Sequence, residues 1–187
     1  MRKVIATVYV SLDGVIKRPE KWSLAYFHEA AAQYQTALLA GCDILVQGRE
    51  TYESFSRVWS KPSDDEYNQR MYAIRKVLVS HSGEAGPWNN TERVTDDPVG
   101  TVAKLRQEDG GAVLTYGFGS VAYALLDAGL LDEVHVWIHP VLARTADPGT
   151  DLWFRAGERN VTLTPLDTTS LPSGVTILRL APVVADS

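Results

Sequence analysis

The chain has 187 residues, of which 45% are hydrophobic and 22% charged, and its formal net charge is −5. This composition is typical of a globular protein, and we expect residues 1–187 to form a single domain. The acidic balance, without any basic run, argues against non-specific nucleic-acid binding, and no stretch is long and apolar enough to cross a membrane. The single cysteine, Cys42, excludes a disulfide framework, is expected in the core, and favours a reducing, cytoplasmic location.

The predicted elements alternate between strands and helices. Each strand is a short apolar run, and each helix carries apolar residues at a spacing of three and four. In chain order we predict a strand over 4–10, a helix over 23–39, a strand over 42–46, a helix from 49, a polar loop or short helix over 59–69, strands over 76–80 and 93–95, a helix over 97–108, a strand over 112–115, a helix over 121–126, and strands over 131–139, 161–166 and 175–180. This order predicts an α/β fold with a mainly parallel central sheet, helices on both faces and an antiparallel C-terminal edge hairpin.

The helix predicted over 23–39 has one apolar face and ends at Gly41. The residues expected on its buried face are Leu24, Phe27, Ala31, Tyr34 and Leu38.

The segment Tyr116 to Ser120 carries the strongest local sign of a binding site. It places Gly117 and Gly119 between an apolar strand and a helix. A helix that starts there leaves backbone N–H groups unpaired, and the helix dipole adds partial positive charge, so the turn favours a phosphate group. Ser120 can cap the helix or donate its hydroxyl. The alternative is that the glycines only allow tight packing between strand and helix.

A second turn of the same kind lies at Gly48, where the strand that begins at Cys42 passes into the next helix. Arg49 stands at the start of this helix, where the dipole disfavours a cation. It is therefore either a solvated side chain without a partner or the partner of a bound anion, which a guanidinium holds well. Two glycine turns, one with an arginine, indicate a ligand that carries phosphate at two places, as a dinucleotide does.

His135, Trp137 and His139 share one face of the strand predicted over 131–139. Two histidines at this spacing can bind a metal, but a third ligand at a sensible spacing is not evident, and we expect no metal site. Large, partly apolar side chains on one face instead suggest an interface, and we predict a homodimer built on this strand.

Together these motifs resemble the dihydrofolate reductase-like family, and within it the C-terminal reductase domain of the bifunctional riboflavin-biosynthesis deaminase–reductase. The segments that carry the resemblance are Ser11-Leu12-Asp13-Gly14, Gly48-Arg49-x-Thr51-Tyr52-Glu53, the strand that ends at Ser80, Gly117 to Ser120, Leu125 to Glu133, and His139-Pro140-Val141-Leu142. They span residues 4–142 in the family's order. The resemblance implies the three-layer dihydrofolate reductase-like fold. Zinc deaminases need a cysteine pair, so we expect no deaminase activity from a chain with one cysteine.

The resemblance implies that NADPH binds in an extended pose across the carboxyl ends of the strands. The implied cofactor-binding residues are Gly48, Arg49, Thr51, Ser80, Gly117, Phe118, Gly119 and Ser120. In this arrangement residues 117–120 hold the pyrophosphate, Thr51 contacts a phosphate, and Arg49 and Ser80 lie near the adenosine 2′-phosphate. Asp13, Gly14 and Trp22 are the implied substrate-binding residues, which cover the nicotinamide and the substrate.

Two positions depart from the family's pattern. Folate-reducing members carry a carboxylate about five residues beyond the loop tryptophan, whereas this chain has Phe27 there and its nearest acid is Glu29. Dihydrofolate is therefore not the expected substrate. The segment Ala143 to Phe154 is also longer than in relatives and contains inserted Arg and Asp residues, so the substrate side is expected to differ.

The implied activity is NADPH-dependent reduction of a small nitrogen heterocycle, most similar to reduction of 5-amino-6-(5-phosphoribosylamino)uracil in riboflavin biosynthesis. Asp13 is the candidate catalytic residue by family position only, and it can equally be a turn-forming residue before Gly14. Two other functions fit the same residues. They are reduction of an unrelated carbonyl or imine compound, and nucleotide binding by a protein that keeps the fold without turnover.

Overall fold

One large sheet forms the centre of the computed structural model, which describes residues 1–84, 86–145, 147–153 and 160–183. Within these ranges the strands are β1 (Val4–Ser11), β2 (Cys42–Gly48), β3 (Arg75–Val79), β4 (Thr91–Val94), β5 (Ala112–Tyr116), β6 (Glu133–His139), β7 (Leu163–Ser170) and β8 (Thr176–Pro182). The α-helices are α1 (Glu29–Ala40), α2 (Arg49–Trp59), α3 (Glu66–Ala73), α4 (Pro98–Gln107), α5 (Ser120–Asp127) and α6 (Pro148–Asp151). Two 3₁₀ turns, Pro19–Lys21 and Leu24–Tyr26, lie between β1 and α1.

The strands lie side by side in the order β4-β3-β2-β5-β1-β6-β8-β7. Neighbouring strands from β4 to β6 are parallel, whereas β8 pairs antiparallel with β6, and β7 pairs antiparallel with β8. The predicted α/β class, with its antiparallel C-terminal hairpin, is confirmed. Because the carboxyl ends of parallel strands meet at one edge of a sheet, that edge gathers the loops that follow β1, β2, β3, β5 and β6.

Helices cover both faces of the sheet and produce the three predicted layers. Val4, Ala6 and Val8 of β1 lie in one apolar cluster with residues of α4 and α5. Ile5 lies on the opposite face, in a second cluster with residues of α1, α2 and α3. Tyr9 is the one residue of β1 that is not fully buried. A strand that is apolar on both faces thus occupies the middle of the sheet, as its sequence predicts.

The first helix is shorter than predicted. It begins at Glu29, not at Ser23, and the residues before it form a 3₁₀ turn. Tyr26 explains the difference, since its ring lies edge-on to His139 with centroids 5.8 Å apart. Its hydroxyl also donates to the backbone oxygen of Pro140 at 3.3 Å. These contacts hold the segment against the end of β6, a constraint that local helical spacing does not reveal.

The buried face of α1 differs for the same reason. It consists of Ala31, Gln35 and Leu39, whereas Leu24 and Phe27 are 67% and 46% exposed. The apolar spacing over residues 23–28 therefore does not reflect a helix.

The face of β6 that carries His135, Trp137 and His139 is covered by the chain's own α1 and by the segment that precedes this helix. The three side chains are at most 4% exposed, and Tyr34 of α1 packs edge-on against Trp137 with centroids 5.1 Å apart. The prediction that this face is free to form an interface is therefore wrong, because sequence spacing shows that side chains share a face but not what covers it. The homodimer itself stays a prediction.

The polar stretch 59–69 contains the start of α3. Asp65 caps this helix by accepting a hydrogen bond from the backbone N–H of Asn68 at 2.9 Å. Trp59 at the end of α2 donates its indole N–H to Asn68 Oδ1 at 2.8 Å. The stretch thus folds back onto α2, in agreement with the prediction of a loop or short helix.

Cys42 is a core residue, as predicted. Its side chain is fully buried, and burial raises the pKa of the thiol to about 12. A thiol held neutral in this way is a poor nucleophile.

Neither a membrane span nor a metal cluster occurs in the part of the chain that the structure describes. No helix there combines the length and apolar character that crossing a bilayer requires. In the same ranges, no three His, Cys, Asp or Glu side chains are grouped so that they could hold a metal ion.

Gln47 of β2 provides a test of the core. Its side chain is 1% exposed, and neither amide atom has a hydrogen-bond partner among the described residues. A buried polar group without a partner costs about 1–3 kcal/mol. We therefore expect Gln47→Leu to raise the free energy of unfolding by about that amount, as measured by urea denaturation.

Gln35 is the matched control for this change. It is also a buried glutamine, at 6% exposure, but its amide is bonded to the hydroxyls of Tyr9 and Tyr116. Gln35→Leu should lower the free energy of unfolding, because it leaves both hydroxyls without this partner. A loss of similar size in Gln47→Leu would mean that water satisfies the Gln47 amide.

Candidate active site

The two glycine turns lie next to each other at the carboxyl edge of the sheet. They follow β2 and β5, which are paired strands. Gly117 has a φ of 78°, which favours glycine, and a Cβ built on it would lie 3.8 Å from Thr51 Oγ1 of α2. A Cβ on Gly48 would lie 3.6 Å from the side chain of Val121 in α5. The residues predicted to hold two parts of one cofactor therefore form one continuous surface.

The starts of α2 and α5 are open for an anion. Among the residues that the structure describes, no side chain caps either helix, and Gly48 and Gly119 are the N-cap residues. Gly119 is exposed, and apart from its chain neighbours no heavy atom in the described ranges lies within 4 Å of a Cβ built on it. The unpaired backbone N–H groups and the dipole of α5 therefore face a space that an anionic group can occupy.

Ser120 and Phe118 differ in what they can offer a cofactor. Ser120 is exposed at the first position of α5, so its hydroxyl is accessible. Phe118 is buried, with its ring edge-on to Tyr123 and to Trp153 at centroid distances of 5.0 and 5.6 Å. The ring of Phe118 is thus part of the core, and only its backbone is available to a ligand.

Arg49 and Ser80 lie together, as predicted, but Arg49 is not a free solvated side chain. Its Nε donates to Ser80 Oγ at 3.0 Å, and its terminal nitrogens donate to the backbone oxygens of Ser82 and Glu84. The guanidinium thus joins the start of α2 to the loop after β3. The solvated alternative is wrong, and the arginine is held in place at the helix start where an anion would compensate the dipole.

Lys76 of β3 anchors the other end of the same loop. Its side chain is fully buried, and its Nζ donates to the backbone oxygens of Tyr72, Ile74 and Asn89 at 2.6, 2.8 and 2.9 Å. It also lies 4.5 Å from the ring centroid of Trp88. Burial lowers the pKa of this ammonium group to about 8. The loop that holds Arg49 is therefore tied to the core at its far end.

Asp13 holds two loops together. Its carboxylate accepts the hydroxyl of Ser11 at 2.5 Å and the backbone N–H groups of Ala143 and Arg144 at 3.0 and 2.9 Å. The Ser11 hydroxyl and these backbone groups lower the pKa of Asp13. The carboxylate is therefore ionised near neutral pH and has no proton to give, which favours the turn-forming alternative over acid catalysis. A direct role in catalysis stays a prediction.

Gly14 and Trp22 lie beside this junction. The backbone oxygen of Gly14 accepts from the N–H of Trp153 at 2.9 Å, which ties the loop after β1 to the segment after β6. Trp22 donates its indole N–H to the backbone oxygen of Lys17 at 3.1 Å. Its ring stands edge-on to His139 with centroids 5.2 Å apart, so Trp22 lies over the ends of β1 and β6, where the substrate is expected.

The segment predicted to diverge, 143–154, lies partly outside the described residues. Within the described part, Asp151 pairs with Arg18 at 2.7 Å and accepts the hydroxyl of Thr145. The inserted aspartate therefore fastens the segment to the loop after β1.

Phe27 and Glu29 do not supply a folate-type carboxylate on the inner face of α1. Phe27 ends a 3₁₀ turn and is 46% exposed. Glu29 opens α1 and is exposed, and it accepts the side-chain amide of Gln33 one turn later at 3.0 Å. Both positions thus face away from the buried surface that α1 packs on the sheet.

Sequence reasoning missed a buried polar network beside the glycine turn. Gln35 of α1 donates to the hydroxyl of Tyr9 and accepts from that of Tyr116, whose oxygen lies 3.1 Å from the hydroxyl of Tyr67. Tyr116 directly precedes Gly117. The three tyrosines fit apolar patterns in their own elements, and Gln35 reads as an ordinary polar residue of a helix, so only the packing of α1 and α3 on the sheet reveals the network.

Residues 2–145 match the model of the family described as the RibD C-terminal domain. Among curated proteins, YyaP of Bacillus subtilis (strain 168) is 23% identical over 177 residues, which cover 93% of this chain and 92% of that protein.

Solved structures agree with this fold. A candidate riboflavin biosynthesis protein from Shewanella sp. PV-4 superposes with a TM-score of 0.75 at 19% identity, over 97% of this chain and 99% of that one. A pyrimidine reductase-like protein from Corynebacterium diphtheriae gives 0.68 at 13% identity, over 98% and 92%. RibD of Acinetobacter baumannii gives 0.69 at 19% identity, over 98% of this chain but 58% of that one. The reductases of the family that this model describes depend in general on nicotinamide cofactors. The chain belongs to this family, the RibD C-terminal domain family, and has its dihydrofolate reductase-like fold.

Proposed function

We propose that the chain is an NADPH-dependent reductase of a small nitrogen heterocycle, similar to 5-amino-6-(5-phosphoribosylamino)uracil reductase of riboflavin biosynthesis, and that residues 1–187 form one catalytic domain. The observation that carries the proposal is the pair of uncapped helix starts at the adjoining ends of β2 and β5. Such a surface suits a ligand with phosphate groups at two places. Family membership supports a nicotinamide cofactor as that ligand.

The residues fit an extended dinucleotide. Gly117 and Gly119 allow the pyrophosphate to approach the backbone at the start of α5, and Thr51 faces the same space from α2. Arg49 and Ser80, joined by a 3.0 Å hydrogen bond, would hold the adenosine 2′-phosphate. When bound, the cofactor supplies a hydride, and the protein supplies binding, orientation and exclusion of water. Trp22 would cover the nicotinamide end.

NADPH oxidation by the purified full chain tests the proposal. We expect saturable NADPH binding that raises the melting temperature. We also expect NADPH oxidation with 5-amino-6-(5-phosphoribosylamino)uracil and none above background with dihydrofolate. The reason for the contrast is that Phe27 and the outward-facing Glu29 leave no carboxylate to stabilise a protonated pterin. Absorbance at the NADPH band measures both reactions.

Three results would contradict the proposal in different ways. An unchanged melting temperature at saturating NADPH would refute the cofactor. Binding without oxidation of any pyrimidine would favour a nucleotide-binding protein. Turnover of dihydrofolate in the ordinary enzymatic range, about 1–1,000 per second, would mean that another acid serves the pterin.

A further inference from the structure

Tyr9 occupies an unusual place for a polar side chain. It lies on the central strand β1, between β5 and β6, and it is the only residue of that strand that is not fully buried. The backbone oxygen of Thr7, two residues earlier, accepts from the N–H of Gly117 at 2.8 Å. Tyr9 is thus a partly exposed side chain on the central strand, two residues beyond the contact with the glycine turn that is expected to bind the cofactor.

The hydrogen bonds of Tyr9 leave its proton without a partner. Gln35 Nε2 donates to the Tyr9 hydroxyl at 2.7 Å, and Gln35 Oε1 accepts from Tyr116 at 3.4 Å. Since both atoms of the amide are engaged, the Tyr9 oxygen is an acceptor in this contact. Its own O–H has no acceptor among the described residues. A hydroxyl in such surroundings gains free energy from an acceptor supplied by a ligand.

A cluster of aromatic rings adjoins the ring of Tyr9 through His139. The ring of His139 lies 4.8 Å from that of Tyr9, 5.2 Å from that of Trp22 and 5.8 Å from that of Tyr26, all between centroids. We call these four residues the ring wall. It stands at the carboxyl ends of β1 and β6.

Tyr9 and His139 of the ring wall are uncharged near neutral pH. Burial raises the pKa of Tyr9 far above its ordinary value and lowers the pKa of His139 below its own. His139 is itself buried, so Tyr9, Trp22 and Tyr26 are the partly exposed rings against which a flat, uncharged ring can pack.

We propose that the Tyr9 hydroxyl donates a hydrogen bond to a carbonyl oxygen or ring nitrogen of a flat, uncharged heterocycle that packs against the ring wall. Gln35 is a positioning residue that directs the Tyr9 proton toward this ligand. The inference rests on the proposed reductase function and names the residue that selects its heterocycle.

The test is titration calorimetry of the full chain with 5,6-diaminouracil, with and without NADPH, for wild type, Tyr9→Phe and Tyr67→Phe. Tyr9→Phe keeps the ring and removes only the donor. One hydrogen bond of ordinary strength corresponds to a loss of roughly 3- to 10-fold in affinity. Tyr67→Phe makes the same chemical change at the inner end of the network, where the hydroxyl contacts Tyr116. It should leave the affinity for the pyrimidine within about twofold.

Equal affinities of wild type and Tyr9→Phe would overturn the inference. They would mean that the Tyr9 hydroxyl donates to the Gln35 amide, turned the opposite way, and not to the ligand. Equal losses in the two variants, or no saturable binding by wild type, would overturn it as well. NADPH affinity is read separately and should be the same in all three proteins. If wild type does not bind NADPH, the proposed function is refuted, whether or not the pyrimidine binds.

Discussion

Replacing Gly119 with valine is expected to weaken NADPH binding at least about 100-fold and to lower the free energy of unfolding by only about 1 kcal/mol, the usual cost of a poor N-cap residue. The backbone at Gly119 has φ −95° and ψ −157°, an extended conformation that valine adopts readily. Apart from its chain neighbours, no heavy atom of the described residues lies within 4 Å of the new Cβ, so the fold leaves room at this position.

The expected loss of affinity comes from the space in front of α5. A branched side chain there keeps the pyrophosphate away from the unpaired N–H groups of the first helical turn. Each hydrogen bond to a charged group is worth about 1.5–3 kcal/mol, so losing two of them exceeds 100-fold. Calorimetric titration with NADPH measures the affinity, and urea denaturation measures the stability.

Gly129 is the matched control at the other end of α5. Its φ is 65°, and outside its chain neighbours no atom of the described part of the chain lies within 4 Å of a Cβ built on it. Gly129→Val therefore strains the backbone without blocking the proposed site. It should lower stability and leave NADPH affinity unchanged. If Gly119→Val instead loses stability and keeps its affinity, the glycine serves strand-to-helix packing.

Arg49→Ala is expected to weaken NADPH binding by roughly 10- to 150-fold and to change NADH binding little. The two cofactors differ only by the 2′-phosphate, and a hydrogen bond to a charged group contributes about 1.5–3 kcal/mol. Arg49 is held next to Ser80 by a 3.0 Å hydrogen bond, which limits the entropy lost when it binds a phosphate. Titration of both cofactors into both proteins gives the ratio of affinities.

Arg49 also organises a loop, so the variant needs a control for that role. Arg93 donates to the backbone oxygen of Gly83 at 2.7 Å, a contact with the same loop from β4. Arg93→Ala should loosen the loop without changing the preference for NADPH over NADH. Equal losses for both cofactors in Arg49→Ala would place this arginine at the shared pyrophosphate or give it a purely structural role.

The sequence alone was enough for the order of elements and the class of fold. The strand run at 4–10 is apolar on both faces, and burial on both faces of a sheet is the reason for that pattern. Glycines at strand-to-helix junctions were equally readable, and at Gly117 the local backbone requires one because its φ is 78°. The adjacency of Gly48 and Gly117 was predictable through the family's order of segments.

Contacts between distant segments were not readable in the same way. Tyr26 belongs to a helical pattern, yet its contacts with His139 and Pro140 hold it in a 3₁₀ turn. One face of β6 carries His135, Trp137 and His139, as the alternation in the sequence predicts. That this face is internal is decided only by the segments that pack on it, α1 among them.

Side-chain roles depended most on the tertiary structure. Whether Arg49 is solvated or held depends on the backbone oxygens of Ser82 and Glu84, more than 30 residues away. The Tyr9–Gln35–Tyr116 network joins three elements that no local pattern connects. Periodicity and turn chemistry act through neighbours in the chain, and so the sequence by itself determined the strands, the helices and the glycine turns of this protein. Hydrogen bonds and burial act through space, and only the folded chain decided which side chains meet at its site.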